Sequence, residues 1–258
     1  MVVYDAIVKR QSQLTAQYYQ LILEAPAVAE QARPGQFVHV KVNGLDDAAL
    51  RRPFSIYNAA DGMLAIVYKT VGRGTALLPL LRVGDVLSVI GPLGNGFPEV
   101  SADCVPLAIG GGYGVAPLSF LARKSGRRGT LLVGARTEND LLCLDDFEEL
   151  GWDVMVTTQD GSQGAQGVVT DLLDGWLAKH KDVVPEVFAC GPSGMLQAVG
   201  ERALGAGIKA WLSLDRRMIC GVGACLACVQ QLRRPDGSEW TGRVCHDGPV
   251  FEAREVIW

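Results

Sequence analysis

"CVPLAIGGGYGVAPLSFLARKSG" (residues 104–126) joins a short apolar run to a helical pattern through a glycine-rich turn. An apolar run of this length predicts a buried strand, and the pattern that follows predicts a helix. A strand that passes through glycines into a helix is the unit from which parallel sheets with helical layers are built. The stretch therefore predicts an α/β domain.

Strand and helix patterns continue to alternate after this stretch. Four further runs predict strands: GTLLVGA at 129–135, WDVMVTT at 152–158, EVFACG at 186–191 and KAWLSL at 209–214. In the helical segment TDLLDGWLAKH, four apolar residues share one face: Leu172, Leu173, Trp176 and Leu177. The alternation predicts a central Rossmann-like parallel sheet covered by helices, which we assign to residues 99–212.

The first 98 residues carry a different pattern, in which short β-rich runs alternate with turn residues. The runs are QFVHVKV at 36–42, MLAIVYKTV at 63–71 and DVLSVIGPLG at 85–94. Short strands with turn signals between them predict an antiparallel barrel or sandwich. We assign residues 1–98 to this β domain and residues 213–258 to a third segment that is too small to build much of a core alone.

Composition excludes several classes of function. The chain has 258 residues, of which 48% are hydrophobic and 20% charged, as in a globular protein. Its net charge of −4 and its lack of long Lys/Arg runs argue against a nucleic-acid partner. The N-terminus lacks the apolar core of a secretory signal, and no run approaches the ~20 apolar residues of a membrane span. We expect a cytoplasmic protein that does not bind membranes and keeps its thiols reduced.

The third segment carries a cysteine cluster. In CGVGACLACVQQL (220–232), four residues separate Cys220 from Cys225 and two separate Cys225 from Cys228, and Cys245 follows after a loop. This is the spacing of plant-type [2Fe–2S] sites, in which a tight loop supplies three thiolates and a distant segment the fourth. A structural zinc site is the main alternative, although zinc ribbons favour two C-x2-C pairs and only one is present. Disulfides and unligated thiols are the remaining alternatives.

Two glycine-containing strand ends predict a nucleotide site. In IGGGYGVAPL (109–118), Gly112 and Gly114 fit a G-x-G fingerprint, but Pro117 stands where a third glycine is expected. The next strand ends at Arg136 without an acidic residue for a ribose. A tight structural turn is the alternative. A second strand end, CGPSGM (190–195), favours the nucleotide, because ligands collect at the carboxyl ends of parallel strands.

Two stretches of the β domain carry possible phosphate-binding groups. RRPFSIYN places Arg52 beside a proline and three residues before a hydroxyl, and a guanidinium binds phosphate in bidentate fashion. VGRGTALL (71–78) offers Gly72, Gly74 and Thr75 as a backbone cradle. Taken singly, each stretch is better explained by a surface arginine or a hairpin turn than by phosphate binding.

Taken in chain order, these motifs resemble those of the ferredoxin-reductase flavoprotein superfamily, and the resemblance covers nearly the whole chain. The resemblance rests on RPFS, GRGT, GPLGNGF, GGGYGVAP and CGPSGM. The C-terminal CGVGACLACV and RVCHDGPVF, together with TQDGSQGAQGVVTDLL (158–173), are similar to the electron-transfer subunits of NAD-dependent dihydroorotate dehydrogenases. Asp215 in SLDRRM departs from that family, in which glutamate is expected.

The resemblance implies a flavin-binding N-terminal barrel, an NAD-binding central domain and a C-terminal iron–sulfur module. It implies FAD contacts from Arg52, Pro53, Phe54, Ser55, Lys69, Thr70, Val71, Gly74 and Thr75. In this set Arg52 binds the pyrophosphate, Ser55 hydrogen-bonds the isoalloxazine near N5, and Pro53 and Phe54 shape the flavin edge. It implies NAD contacts from Gly111, Gly112, Gly114 and Cys190. Ser55 and Cys190 then flank the reacting rings, and the cluster ligands are Cys220, Cys225, Cys228 and Cys245.

The resemblance also implies a reaction and a partner. NAD acts as a diffusible substrate, and electrons pass between it and an FMN-containing dihydroorotate dehydrogenase catalytic subunit through FAD and the [2Fe–2S] cluster. Two subunits of each kind would form a heterotetramer active in pyrimidine biosynthesis. The alternatives are a subunit of a related ferredoxin:NAD(P) oxidoreductase or hydrogenase and, more distantly, a nucleotide-binding regulator with structural zinc. The choice between NADH and NADPH stays open, because Arg136 is either a ligand of the 2′-phosphate or a solvated residue at the end of a strand.

Overall fold

The N-terminal part of the chain is a closed antiparallel barrel, as predicted. The computed structural model describes residues 1–44 and 50–258. The barrel order is β1-β2-β5-β4-β3-β6. Its strands are Val2–Gln13 (β1), Tyr18–Glu24 (β2), Phe37–Val40 (β3), Arg52–Ala60 (β4), Met63–Lys69 (β5) and Val86–Leu93 (β6). Two short helices join them, Pro26–Ala29 (α1) and Arg73–Leu77 (α2).

The period-two pattern of β3 and β4 divides their residues between two faces. Val38 pairs with Phe54, and both pack inside the barrel. The alternate residues Phe37 and His39 pair with Ser55 and Pro53 on the outer face. All four residues of β3 are buried, so both faces of this strand are covered. The outer face of β3 and β4 is therefore an interface with the rest of the molecule.

The central part of the chain is a parallel sheet in the order β10-β9-β8-β7-β11-β12. Each of the predicted strand runs is a strand of this sheet. The strands are Val105–Gly111 (β7), Thr130–Ala135 (β8), Asp153–Thr158 (β9), Ala165–Gln166 (β10), Pro185–Cys190 (β11) and Ala210–Ser213 (β12). The sheet has a predominantly apolar interior, which matches the continuous apolar runs of the sequence.

Four helices connect these strands: Val115–Ser125 (α3), Leu144–Glu149 (α4), Val169–Lys179 (α5) and Ser193–Gly205 (α6). In α5 the predicted apolar face is correct, since Leu173 and Trp176 are buried while Asp174 is exposed. Helix α3 ends at Gly126, whose φ of +60° suits a glycine C-cap. Among the helices of the described residues, none is long and apolar enough to cross a membrane.

The third segment is joined to the central sheet. It contains Val229–Arg233 (β13), Glu239–Arg243 (β14) and Val250–Glu252 (β15). Strands β13 and β14 form a hairpin, whereas β15 pairs antiparallel with β12 and becomes the edge of the seven-stranded sheet. Leu232, Val244 and Phe251 lie in the same apolar cluster as Leu107 and Ile109 of β7. This shared core supplies the burial that so small a segment lacks by itself.

Candidate functional site

A cleft of about 1080 Å³ lies between the outer face of the barrel and the carboxyl ends of the central strands. The barrel contributes residues 52–55 of β4 and the end of β5. The sheet contributes the last residues of β7, β8, β11 and β12 and those that follow them, namely 111–114, 134–136, 190–195 and 213–215. Carboxyl ends of parallel strands are the usual ligand side of such sheets.

Most of the predicted flavin and nucleotide residues line this one cleft. They are Arg52, Pro53, Phe54, Ser55, Lys69, Val71, Thr75, Gly111, Gly112, Gly114 and Cys190. Thr70 and Gly74 are not among the lining residues. The Thr70 backbone N–H donates to the Gln17 carbonyl at 2.9 Å, and Gly74 is buried within α2. The roles implied for the individual residues remain predictions.

On the barrel wall, two of the predicted residues are held by short local bonds. The Arg52 guanidinium donates to the Leu50 carbonyl at 2.5 Å, so its side chain is anchored at the cleft. The Thr75 hydroxyl accepts the backbone N–H groups of Val71 at 2.8 Å and Gly72 at 3.1 Å. This hydroxyl therefore fixes the shape of the GRGT turn.

On the opposite wall, three helices begin at the cleft. The residues just before α3, and those before and within the first turns of α5 and α6, line it. Free backbone N–H groups and the positive ends of the helix dipoles at these positions favour anions. Gly112 has a φ of +55°, and a Cβ there would meet only the Tyr18 hydroxyl at 4.0 Å; beside Gly194 the space is open. The wall thus offers room and charge for a diphosphate such as that of NAD.

Other glycines in the same motifs serve the packing of the strands. A Cβ on Gly114 would lie 2.3 Å from the Cys190 carbonyl oxygen, and one on Gly111 would lie 2.7 Å from the Met195 Sδ. The turn after β7 therefore packs directly against the end of β11. Only glycine permits this approach, which brings the two nucleotide motifs side by side.

Cys190 lies at this junction and is partly buried. Burial raises the pKa of its thiol, a hydrogen bond with Ser213 opposes that shift, and the resulting pKa is about 12. The thiol is therefore protonated at neutral pH. It is suited to contact a ring rather than to act as a thiolate nucleophile.

Lys69 joins the barrel to the central domain through Asp140. The Lys69 ammonium and the Tyr18 hydroxyl both donate to the Asp140 Oδ1 at 2.8 Å. The bond to Asp140 raises the pKa of Lys69. Burial alone would raise the pKa of Asp140, but the bonds from Lys69 and Tyr18 hold it below its usual value. Asp140 follows β8 in the chain and lines the cleft. Its carboxylate already accepts hydrogen bonds from two side chains of the barrel.

The third-segment cysteines come together as two pairs. The Cys220 thiol contacts the Cys225 thiol, and the Cys245 thiol contacts that of Cys228. Backbone N–H groups point at the sulfurs: those of Val222 and Ala224 lie 3.4 and 3.3 Å from the Cys220 Sγ, and that of Gly223 lies 3.2 Å from the Cys245 Sγ. Such N–H···S bonds stabilise thiolates.

The Cys220 and Cys245 thiols differ in acidity. Burial alone would raise the pKa of Cys220, but the N–H donors around its sulfur lower it to about 6. Burial and the neighbouring Cys228 thiol raise the pKa of Cys245 to about 12. The Cys220 thiol is therefore largely thiolate at neutral pH, whereas metal binding must displace a proton from Cys245.

The paired arrangement fits two irons better than one zinc. Structural zinc takes four ligands around one point, whereas a two-iron cluster takes two thiolates at each iron. The donor set thus fits a [2Fe–2S] cluster, which Cys220 and Cys225 would hold on one side and Cys228 and Cys245 on the other.

Sequence reasoning missed several residues of the cleft: Tyr18, Tyr113, Asp140 and Met195. Tyr113 and Met195 lie inside motifs that were singled out for their glycines. Tyr18 and Asp140 lie outside every motif, and their contact joins residues far apart in the chain, so no local pattern could have indicated them.

The fold and this site define a class: a ferredoxin-reductase-type flavoprotein that carries an iron–sulfur module. Family models support both halves of this description. The "Iron-sulfur cluster binding domain of dihydroorotate dehydrogenase B" matches residues 215–257, and the "Oxidoreductase NAD-binding domain" matches residues 108–201. The chain is thus an oxidoreductase that works with FAD, a [2Fe–2S] cluster and NAD.

Comparison with whole proteins gives the family. The chain is 43% identical to the dihydroorotate dehydrogenase B (NAD(+)), electron transfer subunit of Geobacillus kaustophilus (strain HTA426), covering 93% of this chain and 92% of that protein. It is 42% identical to the corresponding subunit of Bacillus caldolyticus, over the same shares. The chain belongs to the family of dihydroorotate dehydrogenase B electron transfer subunits.

A solved structure shows the same architecture. An NADH-dependent reduced ferredoxin-NADP oxidoreductase superimposes with a TM-score of 0.84 at 31% identity. The match covers 98% of this chain and 90% of that one, so it includes the iron–sulfur segment as well as the barrel and the sheet.

Proposed function

We propose that this chain passes electrons between NAD and an FMN-containing dihydroorotate dehydrogenase catalytic subunit, through FAD and the [2Fe–2S] cluster. The observation that carries the proposal is the arrangement of the cleft. The flavin motif on β4 and the nucleotide loops face each other across it, and the cysteine loop packs on the outer face of β3, next to β4. When bound, the flavin couples the two-electron chemistry of nicotinamide to the one-electron chemistry of the cluster.

On the barrel wall, the residues of RPFS bind and orient the flavin. Arg52 pairs its guanidinium with the pyrophosphate in a charge-assisted bond. The Ser55 hydroxyl hydrogen-bonds the isoalloxazine, and Pro53 and Phe54 bound its edge. The GRGT turn, held by the Thr75 hydroxyl, presents its backbone to the phosphates.

On the sheet wall, the chain binds NAD and places the nicotinamide. The turn at 111–114 binds the diphosphate through its backbone N–H groups. Cys190, with its neutral thiol, bounds the nicotinamide face opposite the flavin motif. These residues position the rings, and none is required to act as a general acid or base.

The cysteine loop provides the exit toward the partner. Cys225 is exposed, and so are its apolar neighbours Leu226 (62%), Ile219 (41%) and Val229 (40%). Exposed apolar side chains that cluster beside a redox centre are typical of a docking surface. We propose that the catalytic subunit covers this surface, in a heterotetramer of two subunits of each kind.

Anaerobic co-expression with the catalytic subunit tests the proposal. The purified complex should oxidise dihydroorotate with NAD+ as acceptor, whereas the catalytic subunit without this chain should not use NAD+. A complex that forms, contains FAD and the cluster, and still fails to reduce NAD+ would refute the proposed partner reaction.

A second candidate is a subunit of a ferredoxin:NAD(P) oxidoreductase. The similarity to the NADH-dependent reduced ferredoxin-NADP oxidoreductase favours it, since that structure matches this chain over nearly its full length. Reduced ferredoxin separates the two candidates: it should reduce NAD+ through this chain only if the second candidate is correct.

A further inference from the structure

His39 is a buried polar residue that the flavin and nucleotide motifs do not explain. It lies in β3 with 0% of its surface exposed, and within the described residues neither its Nδ1 nor its Nε2 has a hydrogen-bond partner. A buried unpartnered polar group costs roughly 1–3 kcal/mol. Buried side chains of this kind nearly always have a partner, which here must be a group that the protein chain itself does not supply.

The ring of His39 faces the cysteine loop. A Cβ built on Gly221 would lie 2.6 Å from the His39 Cε1, 2.7 Å from Nδ1 and 2.9 Å from Nε2. Both nitrogens therefore lie against Gly221, the residue that follows Cys220. Gly221 also has a φ of +71°, so glycine is favoured there for its backbone as well as for the space it leaves to the imidazole.

The flavin side offers the imidazole less access. His39 shares the outer face of the barrel with Phe37 and Pro53, and both of these line the cleft. His39 is not among the described residues that line it. The missing partner is therefore on the cluster side of the ring.

The charge state of the ring is consistent with this location. Burial, together with the positive charges of Arg51 and Arg52, lowers the pKa of His39 to about 4. The imidazole is then neutral at pH 7, with one N–H donor and one acceptor.

We propose that the His39 imidazole donates an N–H hydrogen bond to an inorganic sulfur of the cluster. This inference rests on the [2Fe–2S] assignment made above. His39 is then a positioning residue, which couples the flavin-bearing face of the barrel to the cluster loop. Hydrogen bonds to cluster sulfurs stabilise the more negative, reduced cluster, so His39 raises the reduction potential of the cluster.

Anaerobic redox titrations followed by EPR test the proposal on the purified holo chain. His39→Leu keeps the apolar volume and removes the donor, and we expect the reduced cluster to be disfavoured by about tenfold, which is about 59 mV for a one-electron couple. His39→Gln restores an N–H donor, so its potential should lie nearer that of the wild type. His180→Leu is the control, because His180 stacks on Trp176 at the end of α5. A His39→Leu protein that keeps its cluster at the wild-type potential would overturn the proposal.

A second measurement decides the matter even if His39 variants fail to bind the cluster. The chain has three histidines, and His246 also lies near the loop, beside Gly223. In His246→Ala protein labelled with ¹⁵N-histidine, pulsed EPR of the reduced cluster should detect a ¹⁵N coupling from His39. Absence of that coupling contradicts the hydrogen bond. A wild-type protein that shows no two-iron signal at all would instead refute the cluster assignment.

Discussion

The cysteine loop and the interdomain cleft are built in opposite ways. The loop carries three of the four proposed ligands within nine consecutive residues, and their spacing suits the ligand chemistry of two irons. The cleft takes its walls from β4, β5 and the ends of β7, β8, β11 and β12, so its shape depends on how two domains pack. A single substitution should therefore have a large effect on function in the loop and a smaller, graded effect in the cleft.

Cys225→Ser should have the largest effect. Loss of one ligand should lower electron delivery to the partner by more than about 100-fold, above the 10–100-fold range of changes around a metal site. Reduction of the flavin by NADH should survive, because the cleft does not depend on Cys225. Stopped-flow absorbance measures both steps. The control is Cys104→Ser, a free cysteine outside the cluster; equal loss of both steps in Cys225→Ser would contradict the proposed electron path.

Arg52→Ala should weaken FAD binding without affecting the cluster. Hydrogen bonds to charged groups contribute about 1.5–3 kcal/mol, so the Kd for FAD should rise roughly 10- to 150-fold. Isothermal titration of the flavin-free protein measures the change. Arg51→Ala is the matched control, because the Arg51 guanidinium donates to the Ser88 carbonyl and hydroxyl inside the barrel wall. If Arg51→Ala weakened FAD binding as much as Arg52→Ala, the assignment of Arg52 would be wrong.

Asp140→Asn should destabilise the contact between the domains. It leaves the Lys69 ammonium, whose side chain is only 14% exposed, without its carboxylate, at a cost of about 1–3 kcal/mol in the free energy of unfolding. Urea denaturation at several pH values measures the loss.

The pH dependence of this loss follows from the direction of each pKa shift. The pKa of Asp140 is lowered on folding, so its contribution is present above about pH 4 and disappears as the pH falls through the folded value. The pKa of Lys69 is raised, so its contribution is complete below about pH 10 and disappears as the pH rises through the folded value. The difference between wild type and Asp140→Asn should be constant from about pH 5 to 9. A difference that grows on acidification would contradict the ion pair.

Arg136→Ala should have the smallest effect. The Arg136 side chain is 74% exposed and lies 3.6 Å from Asp140, and exposed pairs contribute about 0.2–1 kcal/mol at most. The KM for NADH should change by less than about threefold. Steady-state reduction of an artificial acceptor measures it, and a selective rise in the KM for NADPH would show instead that Arg136 binds a 2′-phosphate.

The features that the sequence predicts are those with a local cause. Alternation in QFVHVKV predicts a barrel strand because the period of two is a property of the strand itself, and the x4, x2 cysteine spacing predicts the cluster for a similar reason. The joining of β15 to β12 was not predicted, because a strand of three residues has too little pattern to detect. The contacts of Lys69 with Asp140 and of His39 with Gly221 join residues 71 and 182 positions apart, and only the packed domains create them.

The central claim is that one chain connects NAD to an iron–sulfur cluster through a flavin. Anaerobic titration of the purified wild-type protein with NADH, followed by visible absorbance and EPR, tests it most directly. We predict that NADH bleaches the flavin bands and produces the EPR signal of a reduced [2Fe–2S] cluster in the same sample. A colourless protein that binds zinc in place of iron would contradict the claim, and so would a flavin that NADH reduces while the cluster stays oxidised at every NADH concentration.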